Sequence, residues 1–411
     1  MNCRFCDNSL TKKFVDLNET PLANSYLEKS DLEKPEKKFP LRALVCEKCY
    51  LVQVDEFEKP TNIFTDYAYF SSYSTSWLDY IENFVRNMIK NFEISESDQV
   101  IEIASNDGYL LKNFQTQGIP VLGIEPAANV AKIAESSGIP TVVDFFGSKI
   151  AKNLASAGKK ADFLIAFNVL PHTPDLNDFV EGLKLLLHEN GVICIQFSAY
   201  LLDVIEKIEF DMVYHEHFSY FSLTTLKKIF ETKNLEIFDV QQIPVHGGSL
   251  QLFLKSKNNS LIKINDTVQQ LLEKEKSFGI EEISTYTQFQ EKVEKSKLMI
   301  KNFFTSVKES GKHIACYGAA AKGNTVLNFC DIDNELIDYV VDISPHKQGK
   351  FLPGTHIPIF SPEKLKESKP DYVVILAWNL KDEIMSQINF IKDWNGKFVV
   401  LIPEVKILND F

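Results

Sequence analysis

The sequence lacks the features of a membrane protein, a secreted protein or a nucleic-acid-binding protein. No apolar run reaches the roughly 18 residues of a membrane-spanning helix, and Met1-Asn-Cys3-Arg leads into a cysteine motif without the apolar core of a signal peptide. Basic residues number 44 against 56 acidic ones, and the net charge of -12 would repel a phosphate backbone. We therefore expect a cytoplasmic protein with no membrane or nucleic-acid partner, and the sequence does not indicate an oligomeric state.

Cysteine is also scarce, and four of the seven cysteines form two pairs, Cys3-Arg-Phe-Cys6 and Cys46-Glu-Lys-Cys49. Two such turns can bring four thiolates to one metal ion in tetrahedral geometry. The intervening segment has few helical signals and is too small to bury a core, so a metal would supply much of its folding free energy. We predict a closed structural Zn²⁺ site. Disulfides are disfavoured in a reducing compartment, whereas an iron-bearing version of the same turns stays an alternative.

At 411 residues, 45% of them hydrophobic and 24% charged, the chain is expected to be a globular protein of two or three domains. From Gln99, strands and helices alternate as in a doubly wound α/β fold. A buried strand leads into Ser105-Asn106-Asp-Gly108, and the next strand ends on Glu125. The turn lacks the three glycines of dinucleotide sites. A turn with a single glycine, followed by a strand that ends on an acid for the ribose hydroxyls, fits S-adenosylmethionine better than NAD.

Histidine is scarce too, yet three of the eight histidines fall in two short segments that follow predicted strands. One segment is Val-Tyr-His-Glu-His and the other is Asn-Val-Leu-Pro-His. In an open α/β sheet, ligands bind outside the carboxyl ends of the strands. A proton-transfer site is therefore predicted there, and it draws on Asn168, His172, Ser198, Tyr214, Glu216 and His217.

Two further segments allow two interpretations each. The aromatic stretch around Tyr67 and Tyr69 is either a packed strap between domains or a lid with tyrosines turned towards a polar substrate. The turn His246-Gly247-Gly248-Ser249 is either a hairpin or a group of backbone donors that faces the substrate.

A second α/β unit begins near Lys312. Tyr317-Gly318 leads through Ala-Ala-Ala into Lys322-Gly-Asn324, and a lysine beside a helix N-terminus suits a phosphate. The next strand ends on Asp342, and Lys347 and Trp378 follow. We predict a nucleotide ligand with two phosphates, and the alternative is a degenerate domain used only for packing.

With these segments assembled, the chain resembles the nucleotide-sugar C-methyltransferases, especially the S-adenosylmethionine-dependent C-3' methyltransferases of 4-keto-deoxy sugars. The resemblance covers the whole length. Besides the cysteine pairs, its motifs are Ile-Ala-Ser-Asn-Asp-Gly, Asn-Val-Leu-x-His-x-x-Asp, Tyr-His-Glu-His, His-Gly-Gly-Ser-Leu, Tyr-Gly-Ala-x-Ala-Lys-Gly-Asn, Gln-Gly-x-x-Leu-Pro-Gly-Thr-His-Ile-Pro and Leu-Ala-Trp-Asn. The chain departs from the family at Phe167, Pro171 and Gln196-Phe-Ser-Ala-Tyr, and the last change leaves the identity of the ketosugar open.

The resemblance implies an α/β protein of three domains that close around the sugar. These are a zinc-binding domain (1–60), a class I, Rossmann-like methyltransferase domain (61–283) and a second Rossmann-like domain that binds the nucleotide sugar (284–411). The implied partner is a ketosugar linked to thymidine or guanosine diphosphate. The residues expected to contact the cofactor are Glu102, Ser105, Asn106, Gly108, Glu125, Pro126, Asp144, Phe145 and Asn168. Those expected to contact the substrate are Ser198, His246, Gly247, Gly248, Ser249, Tyr317, Gly318, Lys322, Asn324, Asp342, Lys347 and Trp378.

The corresponding mechanism starts from the acidity of a C–H bond beside a ketone. We expect His217 to remove the C-3' proton while Glu216 holds its tautomer, with His172 as the alternative base. Tyr214 or a lid tyrosine, Tyr67 or Tyr69, would stabilise the enolate. Two other functions stay open at this point: methylation of a sugar hydroxyl or amine, and nucleotide-sugar binding without chemistry.

Overall fold

The computed structural model describes residues 1–59, 61 and 71–408. Within these residues the strands form three sheets that follow one another along the chain, apart from one exchanged strand. The predicted α/β fold class is confirmed by these mixed α/β layers and by the N-terminal cysteine cluster. The boundaries near residues 60 and 283 stay predictions. No helix in the described part of the chain combines the length and the apolarity that crossing a bilayer requires.

The N-terminal sheet contains β1 (Lys12–Thr20), β2 (Phe39–Val45) and β3 (Val52–Val54), all antiparallel. In β2, buried and more exposed positions alternate, with Leu41 and Ala43 inside and Arg42 outside. This period of two is expected for an antiparallel sheet with one face on the core. One cysteine turn precedes β1 and the other follows β2. Because Lys12 pairs with Val45, both turns lie at the same end of the sheet.

The central sheet is doubly wound. Its chain segment contains α1 (Thr75–Asn91), β4 (Val100–Ile103), α2 (Leu111–Gln115), β5 (Val121–Ile124), α3 (Ala128–Ser136), β6 (Thr141–Val142), α4 (Ser148–Ser156), β7 (Ala161–Phe167), α5 (Leu176–Leu186), β8 (Leu187–Ser198), α6 (Leu201–Glu206), β9 (Ser219–Tyr220), α7 (Leu223–Glu231), β10 (Leu235–Ile243), β11 (Ser249–Ser256) and α8 (Asp266–Phe278). The strand order is β10-β11-β8-β7-β4-β5-β6, and β4 to β8 are parallel. Because the order reverses between β4 and β7, a cleft is expected at their carboxyl ends.

The short strand β9 belongs to the central chain segment but pairs with β3 of the N-terminal sheet. Gln53 lies opposite Ser219, two residues after His217. The cysteine-bearing sheet is therefore attached directly to the histidine segment.

The C-terminal sheet repeats the doubly wound arrangement. Its elements are α9 (Ile283–Thr287), α10 (Phe289–Glu309), β12 (Ile314–Tyr317), α11 (Ala321–Phe329), β13 (Tyr339–Val341), β14 (Ile359–Phe360), α12 (Lys364–Ser368), β15 (Tyr372–Ile375), α13 (Lys381–Gln387), β16 (Lys397–Val400) and β17 (Lys406–Leu408). The strand order is β14-β13-β12-β15-β16-β17, and only the pairing of β17 is antiparallel. Here the order reverses between β12 and β15, so the ends of these two strands form the second expected ligand position.

Candidate active site

A cavity of about 830 Å³ lies at the carboxyl ends of β4, β5 and β7. Its wall also includes Asn24 from the N-terminal segment and Lys322 and Lys347 from the C-terminal segment. Ligand pockets for small molecules typically measure about 300–1,000 Å³. The cavity therefore brings all three sheets to one site of a size suited to small ligands.

The turn after β4 is conformationally unusual. Ala104, Asn106 and Gly108 have φ angles of +55°, +49° and +79°, in the left-handed region that side chains disfavour. A Cβ atom at Gly108 would lie 3.0 Å from Cγ1 of Ile139. Such strained backbone is concentrated at functional sites, and here it turns Ala104 and Asn106 towards the cavity.

Glu125 follows β5 and lines the cavity beside this turn. Its two carboxylate oxygens accept hydrogen bonds from the backbone N–H groups of Asn106 (2.9 Å) and Ala127 (2.8 Å). Burial raises the pKa of Glu125, and these two bonds oppose the rise. A carboxylate oxygen can accept more than one bond, so the fixed carboxylate can also receive ribose hydroxyls.

The structure separates the predicted cofactor residues into two groups. Asn106, Glu125, Pro126, Phe145 and Asn168 line the cavity. The others lie elsewhere: Glu102 is buried in β4, Ser105 is buried at the turn, Gly108 shapes the turn, and Asp144 is exposed and accepts a hydrogen bond from the N–H of Phe145. Sequence reasoning missed the aromatic residues that share the wall. Tyr109, Phe146 and Phe167 follow or end strands, which was an available signal, whereas Trp77 lies on α1.

His217 is held in one tautomer. Its Nδ1 lies 3.0 Å from the carbonyl oxygen of Met212, which can only accept, so Nδ1 carries the proton. Its Nε2 therefore accepts the hydroxyl of Tyr214 at 2.7 Å. Burial lowers the pKa of His217 well below its usual value, and the neighbouring His172 lowers it further. The imidazole is neutral at pH 7 and has its basic nitrogen directed at a tyrosine on the cavity wall.

His172 and Glu216 are linked through the backbone. The Nδ1 of His172 donates to the carbonyl oxygen of Glu216 at 2.7 Å, and burial lowers the pKa of His172 to about 4. The carboxylate of Glu216 accepts both of its hydrogen bonds from Asn24. The expectation that Glu216 holds the tautomer of His217 is therefore wrong, because the Met212 carbonyl does so.

The C-terminal domain contributes a lysine, Lys322, to the cavity wall, and buried acidic residues lie close to it. Lys322 lies over the ring of Trp378, 4.9 Å from its centroid, and donates to Oδ1 of Asn379 at 2.7 Å. The indole of Trp378 donates to the buried carboxylate of Asp211 at 2.7 Å. Burial lowers the pKa of Lys322, and Asp211 and Glu209 oppose this change. The two acids thus favour the charged form of a lysine that lines the site, against the effect of burial.

The remaining predicted substrate residues occupy mixed positions. Ser198 and Lys347 line the cavity, and the ring of Trp378 contacts the ammonium group of Lys322. Several others support neighbouring structure instead of facing the cavity: Gly247 packs against Trp378, Gly248 lies near Asp203, Ser249 donates to Val245, Tyr317 donates to Gln387, Gly318 lies against Ala377, Asn324 donates to the carbonyl of Ala23, and Asp342 accepts from Ala319 and Ser344. Tyr67, Tyr69 and the side chain of His246 lie outside the described residues.

The four cysteines of the N-terminal pairs converge. The Sγ atoms of Cys3 and Cys49 are 3.5 Å apart, as are those of Cys6 and Cys46, and all four lie within 4.8 Å of one another. Four thiolates around zinc, at about 2.3 Å each, would be roughly 3.8 Å apart, whereas disulfide-bonded sulfurs would be about 2.05 Å apart. The donor set fits a tetrahedral Zn²⁺ ion.

The fold, the cofactor turn and the closed cysteine site define an S-adenosylmethionine-dependent methyltransferase with a structural zinc domain. Three family models match the chain in succession: a zinc binding domain over residues 3–64, a methyltransferase domain over 76–240 and a C-methyltransferase C-terminal domain over 244–403. The chain is also 32% identical to C-methyltransferase NovU of Streptomyces niveus over 407 residues, which is 99% of this chain and 96% of that protein. It therefore belongs to this family of C-methyltransferases, and it transfers a methyl group from S-adenosylmethionine to carbon.

Solved structures of lower similarity were also found. A magnesium protoporphyrin IX methyltransferase from Synechocystis PCC 6803 is 16% identical, with a TM-score of 0.34 over 43% of this chain and 82% of the other. An S-adenosylmethionine-dependent methyltransferase from Clostridium acetobutylicum is 12% identical, with a TM-score of 0.35 over 43% and 91%.

Proposed function

We propose that the protein methylates a sugar carbon, C-3', of a nucleotide-linked 4-keto-6-deoxy sugar during synthesis of a branched deoxysugar. The observation that carries the proposal is the shared cavity. The cofactor turn with Glu125, the pair Tyr214 and His217, and Lys322 all line it. A ketosugar with a diphosphate needs these three environments side by side.

The chemical problem is to make a carbon nucleophilic. S-adenosylmethionine supplies an electrophilic methyl group on a sulfonium, and a carbon beside a ketone can attack it once its proton has been removed. His217 is the proposed base: the proton passes from C-3' to the oxygen of Tyr214 as the phenolic proton passes to Nε2 of His217. The Met212 carbonyl favours this direction because it already fixes the proton on Nδ1.

Glu216 contributes charge to this step. Its buried carboxylate lines the same cavity as both histidines. A nearby negative charge favours the imidazolium that forms when His217 accepts a proton. His172 is the alternative base. Because its Nδ1 donates to the Glu216 carbonyl, the lone pair of His172 is on Nε2.

The cationic wall supports a diphosphate. In a chain with a net charge of -12, an anionic ligand requires local positive groups. Lys322 and Lys347 both line the cavity, and Lys347 is oriented by the Ala319 carbonyl (2.8 Å) and by Asp342 (3.4 Å). We propose residues 284–411 as the nucleotide-binding domain, residues 61–283 as the methyltransferase domain and residues 1–60 as the zinc domain. Both thymidine and guanosine diphosphates are compatible with these contacts, and the thiol state of the cysteines agrees with a cytoplasmic enzyme.

The test is to incubate the protein in deuterium oxide with a 4-keto-6-deoxy nucleotide sugar, with and without S-adenosylmethionine, and to follow the sugar by mass spectrometry. We expect deuterium at C-3' without the cofactor and a methyl group on that carbon with it. Exchange and methylation at a different carbon would contradict the assignment to C-3'. A panel with thymidine and guanosine diphosphates identifies the nucleotide, and no reaction with any member would contradict the ketosugar proposal.

Replacing Glu125 should weaken cofactor binding. Two charge-assisted hydrogen bonds to a ribose, at about 1.5–3 kcal/mol each, predict that Glu125→Ala raises the Kd for S-adenosylmethionine by about 100-fold or more. Glu125→Gln keeps one acceptor oxygen, so its Kd should lie between those of the wild type and Glu125→Ala. Titration calorimetry measures both values, with Glu135→Ala as the control because Glu135 is exposed and does not line the cavity. Equal losses for the Glu125 and Glu135 variants would contradict the assigned role.

A further inference from the structure

A segment of the N-terminal region, residues 21–36, crosses onto the C-terminal domain and is called here the crossing segment. The hydroxyl of Tyr26 donates to the carbonyl of Ala319 at 2.6 Å, and Leu27 pairs with Phe351. At the end of the segment, Glu36 accepts the N–H of Gly354 with both carboxylate oxygens, at 3.0 and 2.9 Å. On the other side of Asn24, the carbonyl of Ala23 accepts a hydrogen bond from Asn324, so the crossing segment is attached on both sides of Asn24, which lines the cavity.

Asn24 meets Glu216 across 192 residues of sequence. Its Nδ2 lies 2.8 Å from Oε1 and 2.9 Å from Oε2 of Glu216. An amide nitrogen can only donate, so both carboxyl oxygens act as acceptors. This arrangement favours the ionised form of Glu216, because a carboxylate accepts both hydrogen bonds more strongly than a neutral carboxyl group does.

Glu216 lies in an environment that opposes its charge. It is 3% exposed, and its pKa is raised to about 7 because the effect of burial outweighs the opposing hydrogen bond from Asn24. The other titratable groups around this part of the cavity are Tyr26 of the crossing segment, His172, Tyr214 and His217 of the central domain, and Lys322 and Lys347 of the C-terminal domain. Among the described residues, the direct donor to the Glu216 carboxylate is Asn24.

We propose that Asn24 is a positioning residue for C-methylation, which holds the Glu216 carboxylate ionised and directed into the cavity. The proposal rests on the proposed role of Glu216 beside the base. It gives the zinc domain a part in the chemistry, since the crossing segment belongs to the same N-terminal sheet region. The Oδ1 of Asn24 lies 3.2 Å from the Tyr26 hydroxyl, whose single hydrogen is shared with the closer Ala319 carbonyl.

The direction of the pH effect follows from the charge. Without Asn24 the pKa of Glu216 rises further, so the carboxylate form is lost at a higher pH. For Asn24→Ala we expect the acidic limb of the kcat/KM profile to move up by about one pH unit, which lowers activity near pH 7 by about fivefold. At pH 9, where Glu216 is ionised in both proteins, activity should return to near that of the wild type.

The matched control is Glu36→Ala, which loosens the same crossing segment without touching the cavity wall. We expect its acidic limb to coincide with that of the wild type. If Asn24→Ala lowered activity equally at every pH, or if Glu36→Ala shifted the limb as well, the segment would have only a structural role and the proposal would be overturned.

A direct titration separates this proposal from the one on substrate. The protonated carboxyl band of Glu216 can be followed by infrared difference spectroscopy without any substrate, and its absence in Glu216→Gln identifies it. We expect the midpoint to rise in Asn24→Ala and to stay unchanged in Glu36→Ala. An unshifted midpoint in Asn24→Ala would refute the proposal. If Glu216→Gln retained full activity while the midpoint shifted, the role of Glu216 in catalysis would fail and its control by Asn24 would stand.

Discussion

His217→Ala is expected to lower the rate of C-methylation by about 10²–10⁴-fold, the range that general bases contribute. The reason is the hydrogen-bond chain from the Met212 carbonyl through both ring nitrogens to the Tyr214 hydroxyl. Without the imidazole, the Nε2 atom that accepts the phenolic proton is lost. The measurements are single-turnover methyl transfer and deuterium exchange at the sugar carbon without cofactor, and both should fall together. Binding of S-adenosylmethionine should be unchanged.

The control lies within the same motif. The contacts of His215 lie in the N-terminal segment: its Nε2 is 3.2 Å from the Pro40 carbonyl, and its ring packs against Phe39 and Phe57. His215→Asn should therefore retain most of the exchange activity. Exchange at the wild-type rate in His217→Ala, together with its loss in His172→Ala, would show that His172 is the base.

Motifs within one short segment could be predicted from the sequence, because their geometry is local. Each C-x-x-C pair is such a segment, and the turn after β4 carries a positive φ at Gly108. The convergence of the two pairs, separated by 39 residues, was predicted from the need of one metal ion for four ligands, and it is confirmed. The contact of Tyr214 with His217 was also accessible in principle. The N–H of His217 donates to the Tyr214 carbonyl at 3.0 Å, so the segment is a β-turn whose first and fourth side chains are neighbours. Adjacent Glu216 points elsewhere, which is why its predicted pairing with His217 is wrong.

Side-chain contacts between distant segments could not be predicted from the sequence. The hydrogen bonds of Asn24 with Glu216, and of Trp378 with Asp211, join residues more than 150 positions apart. Nothing in the local pattern of either partner indicates the other, because packing of the three sheets brings them together. The same applies to Gly247, where a Cβ atom would lie 2.5 Å from Cη2 of Trp378. The glycine is needed there for close packing, which a hairpin pattern does not reveal.

Arg4 explains why the zinc site should matter for catalysis. It lies between Cys3 and Cys6, and its guanidinium donates to the carbonyl oxygens of Phe218 (2.9 Å) and Val54 (2.6 Å). Phe218 directly follows His217, and its N–H donates to the carbonyl of Pro171, beside His172. The cysteine turn thus holds the backbone that positions both histidines.

Cys46→Ser is therefore expected to abolish stoichiometric zinc binding and to lower turnover by at least about 100-fold, since an error of about 1 Å in the position of a catalytic group can cost that much. Structural zinc contributes about 10–16 kcal/mol of apparent binding free energy in small domains, so one lost ligand should unfold the cysteine turns. The affinity for S-adenosylmethionine should persist, because Glu125 and the turn after β4 belong to the central sheet. Metal analysis, calorimetry and turnover are compared with those of Cys330→Ala, which replaces a buried thiol outside the metal site. A zinc-free variant with wild-type turnover would show that the Arg4 contacts hold the histidine segment without the metal.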